Sequence, residues 1–184
     1  AFVASVLRML SPQPGDRVLD LYAGVGLFAA FLADAVTPLG QVIAVESDAD
    51  ACRHARGNLA AYRNALVVQG RVDDLFGVPR PKRRGAAGQR TSRTRKLRRS
   101  PLLPESADLV VLDPPRSGAG QSVCRVIAGL RPRAIAYVAC DPAALARDAA
   151  YLLDQGYELG ELQAFDAFPM THHFETIALF TRRA

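Results

Sequence analysis

Three side chains stand where strands meet turns and could carry chemistry. Cys140, in YVACDP, comes just before Asp141 and Pro142. Asp suits a helix N-cap and Pro the first helical position. The thiol is therefore expected near the positive end of a helix, which favours the thiolate and makes it a candidate nucleophile. Cys52 and Cys124 lack such flanks and read as small buried hydrophobes. Asp113 directly follows the apolar run ADLVVL, at the strand edge where open α/β sheets bind ligands. Pro114 and Pro115 stiffen the loop after it, and Asp113 either serves the ligand or braces that loop. Glu175 opens the last apolar run, 35 residues beyond Cys140. It is either an edge-strand charge or a general base facing a pocket.

A second group could hold a nucleoside cofactor. RVLDLYAGVGLFAAFLA reads as strand, glycine turn and helix. Gly24 and Gly26 allow a tight turn and close approach of a ligand, and Asp20 at the strand end can orient that turn. Glu46, twenty residues after Gly26, ends the next strand, where its carboxylate could accept from both ribose hydroxyls. The same spacing satisfies the permissive dinucleotide pattern, so a nicotinamide enzyme stays open here. Asp73, after the third strand, is a candidate adenine contact; with Asp74 it could equally be a solvated acid. His172 and His173 are neighbours without a third ligand at usual spacing, so no metal is expected.

These residues need a scaffold that brings several strand ends together. Short apolar runs alternate with amphipathic stretches, which predicts a parallel sheet flanked by helices. Helices are expected at 2–10, 26–36, 48–62, 121–130 and 142–155, and strands at 17–21, 41–45, 65–69, 108–112, 134–138, 157–165 and 174–181. AFPMTHH is too short for a helical crossover, so the last two strands should pair antiparallel. The expected fold is a Rossmann-like α/β domain with a seven-stranded, mostly parallel sheet, an antiparallel last strand and helices on both faces.

The net charge of +5 is unevenly spread. Residues 80–99 hold ten Lys/Arg and no acid, leaving 13 basic and 18 acidic residues elsewhere. With Pro, Gly and Ser but little apolar periodicity, residues 79–104 read as a mobile insertion between the third and fourth strands. Such a segment would gather nucleic-acid phosphates or be a solvated loop. The longest nearly apolar stretch, Ala23 to Ala33, is too short to span a bilayer. Three cysteines without CxxC spacing argue against a disulfide framework and fit a reducing, cytoplasmic compartment.

LDLYAGVG, LDPPRSG, YVACDPAALARD and FPMTHHFET, in this order, resemble the RNA 5-methyluridine methyltransferase family across nearly the whole chain except the basic insertion. The resemblance implies a class I methyltransferase catalytic domain over 1–184, S-adenosyl-L-methionine as cofactor and tRNA or rRNA as partner. By position it makes Cys140 the nucleophile, Glu175 the base that takes the C5 proton, and Asp113 a pocket carboxylate. Tyr22, Gly24, Glu46 and Asp113 would line the cofactor and base site. The family's upstream RNA-binding barrel and Gln-containing segment would precede Ala1, so the chain reads as part of a longer protein. Three other readings are an exocyclic-amine methyltransferase of the DPP type, a nicotinamide oxidoreductase and a noncatalytic RNA-binding module.

Overall fold

The computed structural model describes residues 2–78, 98–166 and 174–183. The sheet is built from β1 (Arg17–Leu21), β2 (Gln41–Glu46), β3 (Ala65–Gln69), β4 (Leu109–Leu112), β5 (Ala134–Ala139), β6 (Tyr157–Phe165) and β7 (Glu175–Arg182). Its spatial order is β3-β2-β1-β4-β5-β7-β6. The pairs among β1 to β5 are parallel, while β7 runs antiparallel to both β5 and β6. The expected architecture is thus observed, with the last strand inserted between β5 and β6.

Side chains alternate across a strand, so the central strands feed two cores at once. All four residues of β4 are buried. Leu109 and Val111 face the layer of α1 (Phe2–Leu10) and α2 (Leu27–Ala35), where Leu10, Phe28 and Leu32 pack. Val110 and Leu112 face the layer of α5 (Gln121–Gly129) and α6 (Pro142–Asp154), with Ile127 and Leu152. Sandwiched in this way, β4 reads as a continuous apolar run and ends at the sheet's carboxyl edge, where Asp113 follows.

Three local readings need correction. The helix expected at 48–62 is α3 (Ala49–Asn58). Past Asn58 the chain tightens into turns, with Ala60 N–H donating to Gly57 O and Tyr62 N–H to Leu59 O. A short helix, α4 (Val72–Leu75), follows β3 and was not expected. Its single turn is too brief to show a 3.6-residue period. The third concerns residues 79–104. Positions 79–97 lie outside the described residues, but Arg99, Ser100 and Leu103 hold the end of the segment against the body of the domain. Ser100 N–H donates to Leu75 O at 2.7 Å, Leu103 is buried, and the Arg99 guanidinium lies 5.5 Å over the Phe76 ring. Arg99 also donates to the Pro104 carbonyl. The buried Leu103 and the cation–π contact supply what sequence periodicity did not reveal.

Candidate active site

The ends of β1, β2, β4 and β5 open onto one edge of the sheet, and a cleft of about 690 Å³ lies along it. Tyr22, Glu46, Asp73 and Asp113 line it, opposite the loop Ser117–Gly120. The volume is that of an ordinary small-molecule site. The glycine turn approaches it in left-handed backbone: φ is +61° at Tyr22, +54° at Gly24 and +83° at Gly26. A bulky residue such as Tyr22 rarely accepts that conformation, and strain of this kind gathers at functional sites. At Gly26 an added Cβ would stand 3.3 Å from Leu59 Cδ1, so this glycine serves helix packing as well as the turn.

Each carboxylate has a distinct job. Asp20 is wholly buried and accepts from Ala29 N–H at 2.9 Å, tying β1 to the start of α2. Burial pushes its pKa up to about 8, with Asp113 and Glu46 adding to the rise, so it holds its proton at neutral pH. Its Oδ1 has no hydrogen-bond partner among the described residues. Glu46 accepts from Gly24 N–H at 2.9 Å through Oε2, and from Asp48 N–H at 2.7 Å through Oε1. It therefore fixes the glycine turn while lining the cleft. Asp73 sits in the first turn of α4 and is gripped by the Arg71 fork at 3.0 and 3.1 Å. Asp113 is open to the cleft but hemmed in by protein on its other sides. That desolvation, then the Glu175 charge, pushes its pKa up to about 6.

Cys140 ends up where its flanks place it. Asp141 caps α6, accepting from Ala144 N–H at 2.7 Å, with Pro142 in the first turn. Cys140 is half-buried, whereas Cys52 and Cys124 are buried. It lines a small recess with Pro115, Arg116 and Gly118. The antiparallel register ends at the pair Ala139–Thr176, so Cys140 and Glu175 adjoin that last pair at the same end of β5 and β7. The candidate nucleophile and the candidate base thus sit at the adjoining ends of two paired strands, and partial burial raises the Glu175 pKa against the lowering influence of Arg116. His172 and His173 lie outside the described residues.

Asp148, Tyr137 and Arg147 were not expected at the site. Asp148 is wholly buried and hydrogen-bonds the loop facing the cleft. Arg147 lines the cleft itself. The sequence offers one signal: a charged Asp inside the apolar face of α6.

The sequence model for the family described as tRNA (Uracil-5-)-methyltransferase matches residues 2–183. The chain belongs to this family. An uncharacterized RNA methyltransferase of Streptomyces avermitilis is 45% identical over 177 residues, covering 96% of this chain and 36% of the relative. A 23S rRNA (uracil(1939)-C(5))-methyltransferase of Shewanella sp. (strain MR-4) is 39% identical over 98% of this chain and 35% of its own length. The chain thus spans about a third of the curated relatives it matches. Among solved structures, the Pyrococcus abyssi tRNA (uracil-54, C5)-methyltransferase in complex with S-adenosyl-L-homocysteine superposes with a TM-score of 0.69. It is 26% identical, over 98% of this chain and 38% of that one. As a uracil-5-methyltransferase family domain, the chain sets its glycine turn, Asp113, Cys140 and Glu175 along one sheet edge.

Proposed function

We propose that this domain methylates C5 of a uridine in tRNA or rRNA, with Cys140 as covalent nucleophile, Glu175 as base and S-adenosyl-L-methionine as methyl donor. The observation that carries the reading is the register of β5 and β7, which brings the Cys140 and Glu175 ends together at the sheet edge that holds a cofactor-sized cleft. Metal chemistry is not needed, and a nicotinamide site would have no use for this thiol–carboxylate pair.

The residues of the cleft suit an adenosyl cofactor. Glu46 Oε1 already accepts from Ser47 N–H, the Ser47 hydroxyl and Asp48 N–H, so the acceptor capacity left for a ribose hydroxyl lies on Oε2, which accepts from Gly24 N–H. Asp73 and Val72 line the cleft beyond Glu46, where the adenine would sit. When bound, the cofactor supplies an electrophilic methyl on a sulfonium.

Uracil C5 is a weak nucleophile, so the chain must first activate it. The Cys140 thiolate adds to C6, breaking the C5–C6 double bond and leaving an enolate with electron density at C5. C5 then takes the methyl group. Glu175 removes the remaining C5 proton, the double bond reforms, and the thiolate departs. Asp113, facing Glu175 from the next loop, lines the base pocket. The target uridine must leave its stack to reach it. Mass mapping of 5-methyluridine in tRNA and rRNA from a strain lacking the gene should show one uridine unmodified. A full complement of 5-methyluridine would overturn the reading.

Two expected outcomes follow from particular residues. Glu46→Gln removes the charge and one acceptor from the turn and the ribose site together. S-adenosylhomocysteine affinity, measured by calorimetry, should fall at least about tenfold, in line with losing a charge-assisted hydrogen bond. Unchanged affinity would remove Glu46 from the cofactor site. The second outcome concerns the basic segment. The residues that flank it, Val78 on one side and Ser100 on the other, hydrogen-bond α4, whose first turn lines the cleft. Deleting residues 80–97 leaves the Arg99 stack on Phe76 intact. RNA binding should weaken, and its salt slope flatten by roughly 0.7 for each phosphate that the shortened chain no longer neutralises. S-adenosylhomocysteine affinity should stay the same. Equal RNA affinity at low salt before and after deletion would make the segment a solvated loop.

A further inference from the structure

Between the cofactor cleft and the Cys140 recess runs one loop, Pro114 to Gly120. Pro115 and Gly118 line both spaces, and Ser117, Ala119 and Gly120 line the cleft. The loop makes its turns in left-handed backbone at Gly118 (φ +78°) and Gly120 (φ +81°), and α5 starts after Gly120 without a side-chain cap. Glycine-rich backbone of this kind has many alternatives, so something outside the loop must hold it in one conformation.

That hold comes from α6. Asp148 Oδ2 accepts from Ala119 N–H at 2.6 Å and from Gly120 N–H at 3.0 Å. The Tyr137 hydroxyl donates to the same oxygen at 2.7 Å and accepts from Ala119 N–H at 3.2 Å. Arg147 donates to Asp148 Oδ1 at 3.0 Å through Nε and at 2.8 Å through Nη2, and its Nη2 also reaches Ser117 O at 2.7 Å. A Cβ at Gly118 would stand 2.5 Å from Asp148 Oδ2 and closer still to Arg147 Nη2. The loop therefore lies flush against this group, and only glycine fits at position 118.

Tyr137 belongs to β5, the strand that ends at Cys140, and Asp148 belongs to α6, the helix that begins just after it. The same rigid pieces that carry the nucleophile thus grip the wall of the cofactor cleft. We propose that Asp148, with Tyr137 and Arg147, is a positioning clamp that fixes the cofactor wall relative to the Cys140 nucleophile. This rests on the uridine-methylation reading, in which the sulfonium methyl and the Cys140-bound base must meet within a few tenths of an ångström. The side chain is wholly buried and bonds the loop, Tyr137 and Arg147 at once.

The test uses Asp148→Asn and Tyr137→Phe in the intact protein, below the melting range of each. An Asn at 148 must turn its amide NH₂ toward either the loop N–H groups or Arg147, so one side of the clamp opens. The expected result is S-adenosylhomocysteine affinity at least tenfold weaker by calorimetry. The kcat, taken per cofactor-binding site at saturating cofactor and RNA, should also fall at least tenfold. Tyr137→Phe, which keeps the ring in the core, should show about threefold losses in both, and it serves if the Asn variant does not fold. A purely stabilising role would lower the number of competent sites and leave kcat per site and affinity as in the wild type. That outcome, within twofold for both variants, overturns the clamp. A wild-type protein that makes no 5-methyluridine sinks the methylation reading instead, and the affinity arm still reports on the loop.

Discussion

Alanine at position 140 is expected to abolish 5-methyluridine formation, by about 10⁴-fold or more, as loss of a covalent nucleophile does elsewhere. Among the described residues Cys140 is the one thiol that is not buried, a far better nucleophile toward uracil C6 than the serine hydroxyls of the cleft, and without that addition C5 stays unreactive. The fold should survive. Cys140 is half-buried at the end of β5 and belongs to neither apolar core, so trimming one sulfur should cost within about 1 kcal/mol. Incorporation of a labelled methyl group, measured beside a thermal melt, separates the two effects. A folded variant working at the wild-type rate would rule out the covalent route. It would favour a DPP-type enzyme that methylates an exocyclic amine without a thiol.

Glutamine at 175 should fail at the opposite end of the reaction. Addition and methyl transfer would still proceed, but an amide cannot accept the C5 proton at neutral pH. The expected product is a methylated RNA held covalently on Cys140, seen as a shifted band on denaturing electrophoresis. A variant that is slow yet accumulates no adduct would assign Glu175 to binding or structure. The pH profile offers an independent check. Desolvation raises the Glu175 carboxyl, and Asp113 beside it is pushed up to about 6. A base is useful only when deprotonated, so the wild-type rate should fall as pH drops through the raised values. The acid limb belongs to the pair and should lie above the ordinary carboxylate range. A limb near pH 4 would mean that neither group controls the rate.

Much of this site is legible in the chain alone. The Asp141–Pro142 pair marks a helix start directly after Cys140, because capping is a local, short-range preference. The apolar run 109–112 announces a strand buried on both faces and places Asp113 at its end. Gly24 and Gly26 mark a turn because few other residues accept its backbone, and the short final loop imposes an antiparallel pair. Each of these signals sits within a few residues of what it specifies. What local spacing leaves open is who stands opposite whom. The insertion of β7 between β5 and β6 fixes the register that brings the Glu175 and Cys140 ends together, and strand order depends on packing of the whole sheet. Glu46 reaches the backbone of Gly24, 22 residues away in the chain, only because β2 lies beside β1 in the assembled sheet. Asp148 stands out in sequence only as an acid inside the apolar face of α6, and its partners, in a glycine loop nearly thirty residues earlier, appear only with the fold. A buried charge must find its partners wherever tertiary packing brings them, and only the assembled structure decides where that is.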